Sequence, residues 1–251
     1  MRSSLASVFL GLSFVAACNV GDAGTGPGGG GDDVQGQPDA PVVSATPKLD
    51  VSIDKPTIST ELMTTNQITV TLTGSDGFSG PVTLAISAVD GASAPLTAWT
   101  VGLNTTTVNV PLNGTATAVA TVNIPSENKG LAATIKIDAT SSAGASSVTS
   151  AITVANQVSI ALTSDGAACT YPAGMTTTTV SVGSKLRFVN KSTADAIRIH
   201  MNNNTVNMPH AQADTAPNQA YELTPSGTTT GVGWYCHTPG NDPGNLKIVV
   251  K

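Results

Sequence analysis

The sequence predicts an all-β protein, two β-sandwiches in tandem after a disordered tether. Three observations carry that prediction. From residue 48 onward, short runs alternate apolar and polar residues, the period of a strand with one buried face. Clusters of Gly, Pro, Asn and Asp separate the runs, as turns require. Only 11% of the 251 residues are charged, so the helix formers Glu, Lys and Arg are scarce and Thr, Ser, Val, Ala and Gly dominate. The length gives room for two domains of about 100 residues each, plus appendages. With aromatics at 4%, the cores fall to Val, Ile, Leu and Ala.

The chain begins MRSSLASVFLGLSFVAAC, with a basic start at Arg2, an apolar run from Leu5 to Ala17 and small residues before Cys18. That run is too short to span a bilayer and fits a signal peptide over residues 1–17. Val15-Ala16-Ala17-Cys18 resembles a bacterial lipobox. The resemblance implies that Cys18 is lipidated, becomes the mature N-terminus and anchors the protein to a membrane of the cell envelope. Residues 18–47 continue with Gly, Pro and acids and show no hydrophobic period, a disordered tether. Such a segment has a reach of about 30 Å. Its GTGPGGGG stretch is no phosphate loop, because no Lys-Ser/Thr follows it.

Residues 48–155 form the first predicted sandwich. Leu49-Val51-Ile53, Ile68-Val70-Leu72, Val82-Leu84-Ile86, Val108-Val110, Val119 with Val122-Ile124, Ile135-Ile137 and Ile152-Val154 mark its strands. SDGFSGP at 75–81, VDGASAP at 89–95, LNG at 112–114 and PSENKG at 125–130 supply the turns. The stretches GFSGPVTLAIS and NGTATAVATVNIP resemble bacterial immunoglobulin-like domains of cell-surface proteins. This half contains no His and no Cys, and its acids fall in turns. It reads as a spacer, with Trp99 as a core or edge filler.

Residues 156–251 form the second. Its strands are marked by Val158-Ile160-Leu162, Thr178-Val180-Val182, Leu186-Phe188, Ile197-Ile199, Tyr221-Leu223, Trp234-Cys236 and Ile248-Val250. Gly183 and Asn190-Lys191-Ser192 supply turns, and Asp165 and Asp242 read as turn formers. All three histidines of the chain, His200, His210 and His237, lie here, with His237 beside Cys236. Thiolate and imidazole together suit copper in a His₂Cys arrangement.

YPAGMTTTTVSVGSKLRFVNKSTADAIRIHMNN at 171–203 and GVGWYCHTPGNDPGNLKIVV at 231–250 resemble the cupredoxins, the blue copper proteins, in their plastocyanin-like branch. The resemblance covers about residues 157–251 and implies a Greek-key sandwich with one copper site at one end. It puts His200 at the first His ligand and Cys236 at the thiolate. Pro239 stands where that family has its second His, and Asn245 or Leu246 where it has its Met. The second imidazole then falls to His237, if the chain turns at once after Cys236, or to His210. Such a protein would bind copper and exchange single electrons with a redox protein as partner.

A second reading of the same cysteines is open. The plastocyanin-like topology implies that Cys169, ahead of the "YP" strand, lies at the same end as Cys236. In an exported protein two cysteines commonly pair. A bridge across their separation of 67 residues would stabilise the fold by about 4 kcal/mol. It would also remove the thiolate, leaving a metal-free cell-surface module for adhesion or envelope architecture.

Other functions find no support in the sequence. Eleven basic against 16 acidic residues, without a Lys/Arg cluster, argue against nucleic acid. GxSxG, HExxH, CxxC and CxxCH are absent and Glu61, Glu127 and Glu222 stand isolated, so no enzyme is indicated. The expectation is a monomeric, lipid-anchored envelope protein.

Overall fold

A computed structural model describes residues 45–251, apart from 165, 167–168, 173–174, 202–206, 210 and 239–245, and without the side chains of His237 and Thr238. The signal peptide, Cys18 and nearly all of the tether lie outside the described residues, as do Asp165, His210 and Asp242. The described chain is all-β, built as β-sandwiches.

The first sandwich uses β1 (Lys48–Ile53), β2 (Thr57–Leu62), β3 (Thr65–Ser75), β4 (Gly80–Val89), β5 (Thr100–Leu103), β6 (Thr107–Val110), β7 (Thr115–Asn123), β8 (Ala132–Ser141) and the first half of β9 (Gly144–Ser164). One sheet runs β1-β3-β7-β5, and β2, β9, β8, β4 and β6 belong to the sheet that faces it. Ile68, Val70 and Leu72 of β3 are buried while Thr69, Thr71 and Thr73 point outward, the alternation read from the sequence. In β7 the buried row is Ala118, Ala120 and Val122, and Val119 faces out. Small alanines there let the facing sheet approach. At Asp76-Gly77 and Asn113-Gly114 the first residue of each pair adopts positive φ, 54° and 50°, which Asp and Asn tolerate better than branched residues. The Asn113 side chain accepts a hydrogen bond from Gly77 N at 2.7 Å and ties the two turns together.

The expected division at 155/156 falls inside β9. This strand is 21 residues long, and after Gly144 it contains no Gly, Pro or Asp to turn the chain. Ser150, Ile152, Val154, Val158, Ile160 and Leu162 are buried on one face, with half-buried Asn156 between them. On one edge β2 pairs parallel with it from Ala151 to Val158, with a register shift between Glu61 and Leu62. β12 (Lys185–Asn190) then takes over, parallel, from Gln157 to Leu162. A single eight-stranded sheet therefore runs through both sandwiches.

The second sandwich adds β10 (Cys169–Thr170), β11 (Thr177–Val180), β13 (Arg198–Met201), β14 (Ala220–Leu223), β15 (Thr229–Thr238) and β16 (Leu246–Val250). Its own four-stranded sheet runs β11-β16-β15-β13, with β11 parallel to β16. Between the sheets, the Phe188 and Trp234 rings stand 4.9 Å apart by centroid. Trp234 and Cys236 share the buried face of β15, as their spacing of two requires. Val182, read as part of a strand, instead sits 42% exposed in the turn closed by Gly183 at φ 80°.

Candidate functional site: the disulfide end of the second sandwich

Cys236 lies on β15 opposite Ile199 of β13 and is fully buried. Cys169 lies on the two-residue β10, which pairs antiparallel with the end of β9, Cys169 opposite Ser164. The two cysteines are bonded to each other, with Cα atoms 5.9 Å apart, within the span a disulfide bridges. Because β10 hangs on the eight-stranded sheet and β15 belongs to the four-stranded one, the bond staples the two faces of the sandwich.

The surroundings of the bond are pinned by hydrogen bonds. Tyr171, two residues past Cys169, donates its hydroxyl to Trp234 O at 3.0 Å. Asn190, buried at the end of β12, donates to Asp195 O and Thr215 O, each at 2.8 Å, and accepts from Ser192 N at 2.9 Å. Ser192 Oγ in turn accepts from Ser164 N at 2.8 Å. A buried amide satisfied this fully fixes the loops it touches. The sequence marks Asn190 only as a turn residue; its burial after Leu186-Phe188 was the available signal.

Of the residues proposed for copper, the two whose side chains are described, His200 and Cys236, do not converge. His200 sits opposite Tyr235, one position along from the Ile199–Cys236 pair. Neighbouring positions on a strand face opposite sides, so His200 projects from the outer face while Cys236 points into the core. There His200 meets Tyr235, with ring centroids 5.7 Å apart and Nδ1 3.4 Å from the Tyr235 hydroxyl. One ion cannot bridge both faces of a sheet, and a sulfur bonded to another sulfur is no thiolate ligand. The His237 side chain and all of His210 lie outside the described residues. Among the described residues, no three His, Cys, Asp or Glu side chains come together in a way that would hold a metal.

Glu222 on β14 has its carboxyl held below the usual range by hydrogen bonds from Lys185 and Arg187. Burial pushes the Tyr221 hydroxyl up; it donates to Pro209 O. Glu127, in the loop before β8, is lowered by its hydrogen bond with Lys129 and by the charge of Lys251. Glu61 is one of the three glutamates, with Glu127 and Glu222, that stand isolated in the sequence. Its carboxylate accepts from Gln157 Nε2 and Ser159 Oγ, both at 2.6 Å.

No family model and no curated protein matches the chain. Similar solved structures include domains 4 and 5 of the S-layer protein SbsC, at 19% identity over 43% of this chain and TM-score 0.32. The match spans about half, 53%, of that chain. A chimeric titin Z1Z2 matches at 12% identity over 82% of this chain and 98% of its own, TM-score 0.30. The BIgI domain of the beta protein from S. agalactiae, solved bound to CEACAM1, matches at 18% identity over 43% of this chain and 96% of its own, TM-score 0.26. At these identities and scores the likenesses bear on no activity, ligand or partner.

Proposed function

We propose that the protein is a metal-free structural module of the cell surface, held to the envelope by lipid at Cys18 and displayed on its tether. The Cys169–Cys236 disulfide is the observation that carries this reading. A buried, sheet-to-sheet bond belongs to proteins of oxidising compartments. It also occupies the sulfur that copper chemistry would need. The fold supports the same reading, because the outward faces of β3 and β7 carry Thr, Gln and Asn rather than a cluster of acids, bases and nucleophiles. On this reading the chain has no catalytic residue; its role is to place a rigid β-body outside the membrane for adhesion or envelope architecture.

The test uses cells producing the full chain. Lipid labelling with a radioactive fatty acid should be lost in Cys18→Ala, and the protein should move from the membrane to the soluble fraction. Purified protein mixed with Cu(II) should stay colourless. Retention of the Cys18→Ala protein on the membrane would sink the anchor, and an intense visible band at one equivalent of copper would restore the electron-transfer reading.

A further inference from the structure

We infer that the two sandwiches are a single cooperative unit, so that the disulfide in the second stabilises the first, which contains no cysteine. The geometry of β9 is the starting point. Its first half is zipped between β8, from Gly144 to Thr153, and β2. Its second half is held by β12 and, at Thr163 and Ser164, by β10. The β2 and β12 registers meet on β9 at Val158, and Asn156 is the one residue between Ala151 and Leu162 that pairs with neither, so no stretch of linker length separates the halves. Tandem domains on Gly- or Pro-containing linkers move and melt independently by default. Here one backbone ladder would have to break for either half to unfold alone.

Side chains close the same junction from several directions. Glu61 of β2 bonds Gln157 and Ser159 beyond the midpoint of β9, and Arg187 Nη1 of β12 stands 4.0 Å from it. Asn156 accepts from Ser184 Oγ at 2.6 Å and donates to Gly183 O at 3.3 Å. The loop before β8 reaches across as well: Ser126 Oγ donates to Thr179 O, and Asn128 N to Ser181 Oγ at 3.0 Å. Glu127 pairs with Lys251 at 3.5 Å. These contacts join β2, β9 and the loop before β8 to β11, β12, the turn between them and the C-terminal Lys251, and the described residues form one compact unit.

The disulfide sits at the far end of this shared strand. Through β10 it clamps the C-terminal end of β9 to β15. Ile152 and Val154, buried near the middle of that strand, lie in the half zipped to β8 and β2. Opening the clamp lets the strand fray from its end, and cooperative units lose stability together rather than residue by residue.

The two tryptophans make the coupling measurable, because Trp99 is buried in the first sandwich and Trp234 in the second. Trp234→Phe leaves Trp99 as the sole tryptophan, and Trp99→Phe leaves Trp234, each read by excitation at the red edge of tryptophan absorption. Urea unfolding of the full oxidised chain should give coincident midpoints from both variants. Adding Cys169→Ala with Cys236→Ala should lower both midpoints equally. A Trp99 transition that stays in place while that of Trp234 falls would overturn the inference. If the cysteine-free second half does not fold at all, Trp99 should also be solvent-exposed without urea; a native Trp99 signal in that protein would overturn the inference too. Separate midpoints in the oxidised chain would do so without any cysteine variant.

Discussion

The two sandwiches reach similar burial by different means. The first is built mostly on long antiparallel ladders, such as β8 on β9 across a tight hairpin and β3 on β7 over nine residue pairs, with β2 on β9 as its parallel pair. Its core is Ile, Val, Leu and Ala with Phe78 and Trp99 at the margins of the apolar rows. The second uses strands of four to six residues, β11 to β14 and β16, and two of its pairs, β11 with β16 and β12 with β9, are parallel. Parallel pairs need long connections, and each connection costs loop-closure entropy before any contact forms. The second sandwich offsets that cost with a Phe188–Trp234 core and a covalent bond across 67 residues. The cross-link falls in the half built of the shorter strands, and on our inference the shared strand passes its benefit on.

This comparison can be broken in several ways, with effects of decreasing size. Replacing Cys169 and Cys236 by Ala should cost about 4 kcal/mol of unfolding free energy, read from urea midpoints. A loss below 1 kcal/mol would mean the second sandwich needs no staple. Ile137, fully buried in β8 of the uncross-linked half, gives the counterpart. Ile137→Ala should cost about 3 kcal/mol, and its effect should reach the Trp234 signal as well as that of Trp99. A smaller effect is expected at the junction. Glu61→Ala strands the Gln157 and Ser159 donors and should cost about 1–2 kcal/mol, with melting broadened by calorimetry as the halves begin to separate.

The smallest effect is in pH. The Glu127 carboxyl is held below its ordinary value by Lys129, with Lys251 adding to it. A lowered folded-state value means the stabilisation is complete above the unfolded carboxylate range, near pH 4.3, and is lost as pH falls through the folded value. Glu127→Gln should therefore lower stability slightly at neutral pH, by the small amount an exposed ion pair contributes, and leave it unchanged below the folded value, which flattens the acid side of the curve.

Strand positions were largely legible in the sequence wherever apolar residues alternate, as at Ile68-Val70-Leu72 or Leu186-Phe188. β2 was not, because TISTEL carries apolar residues only at Ile58 and Leu62, four apart. β5 and β10 are too short to show a period. The passage of β9 through both sandwiches was hidden by Ala155-Asn156-Gln157, a polar interruption that resembles a loop but serves the junction. At the candidate site, sequence order put a His and a Cys in cupredoxin-like positions. Order does not specify register, and a shift of one residue moves a side chain to the other face. The pairing of His200 with Tyr235, rather than with Cys236, is set by the strands around it. Which cysteine chemistry holds depended likewise on β10 folding back on Ser164, a contact no local pattern announces.

The most direct measurement is non-reducing proteolysis of the protein secreted to an oxidising compartment, followed by mass spectrometry of the fragments. A disulfide-closed module predicts one cross-linked pair containing Cys169 and Cys236, split only by reductant. Recovering both peptides as free thiols, with stoichiometric copper bound by the intact protein, would contradict it.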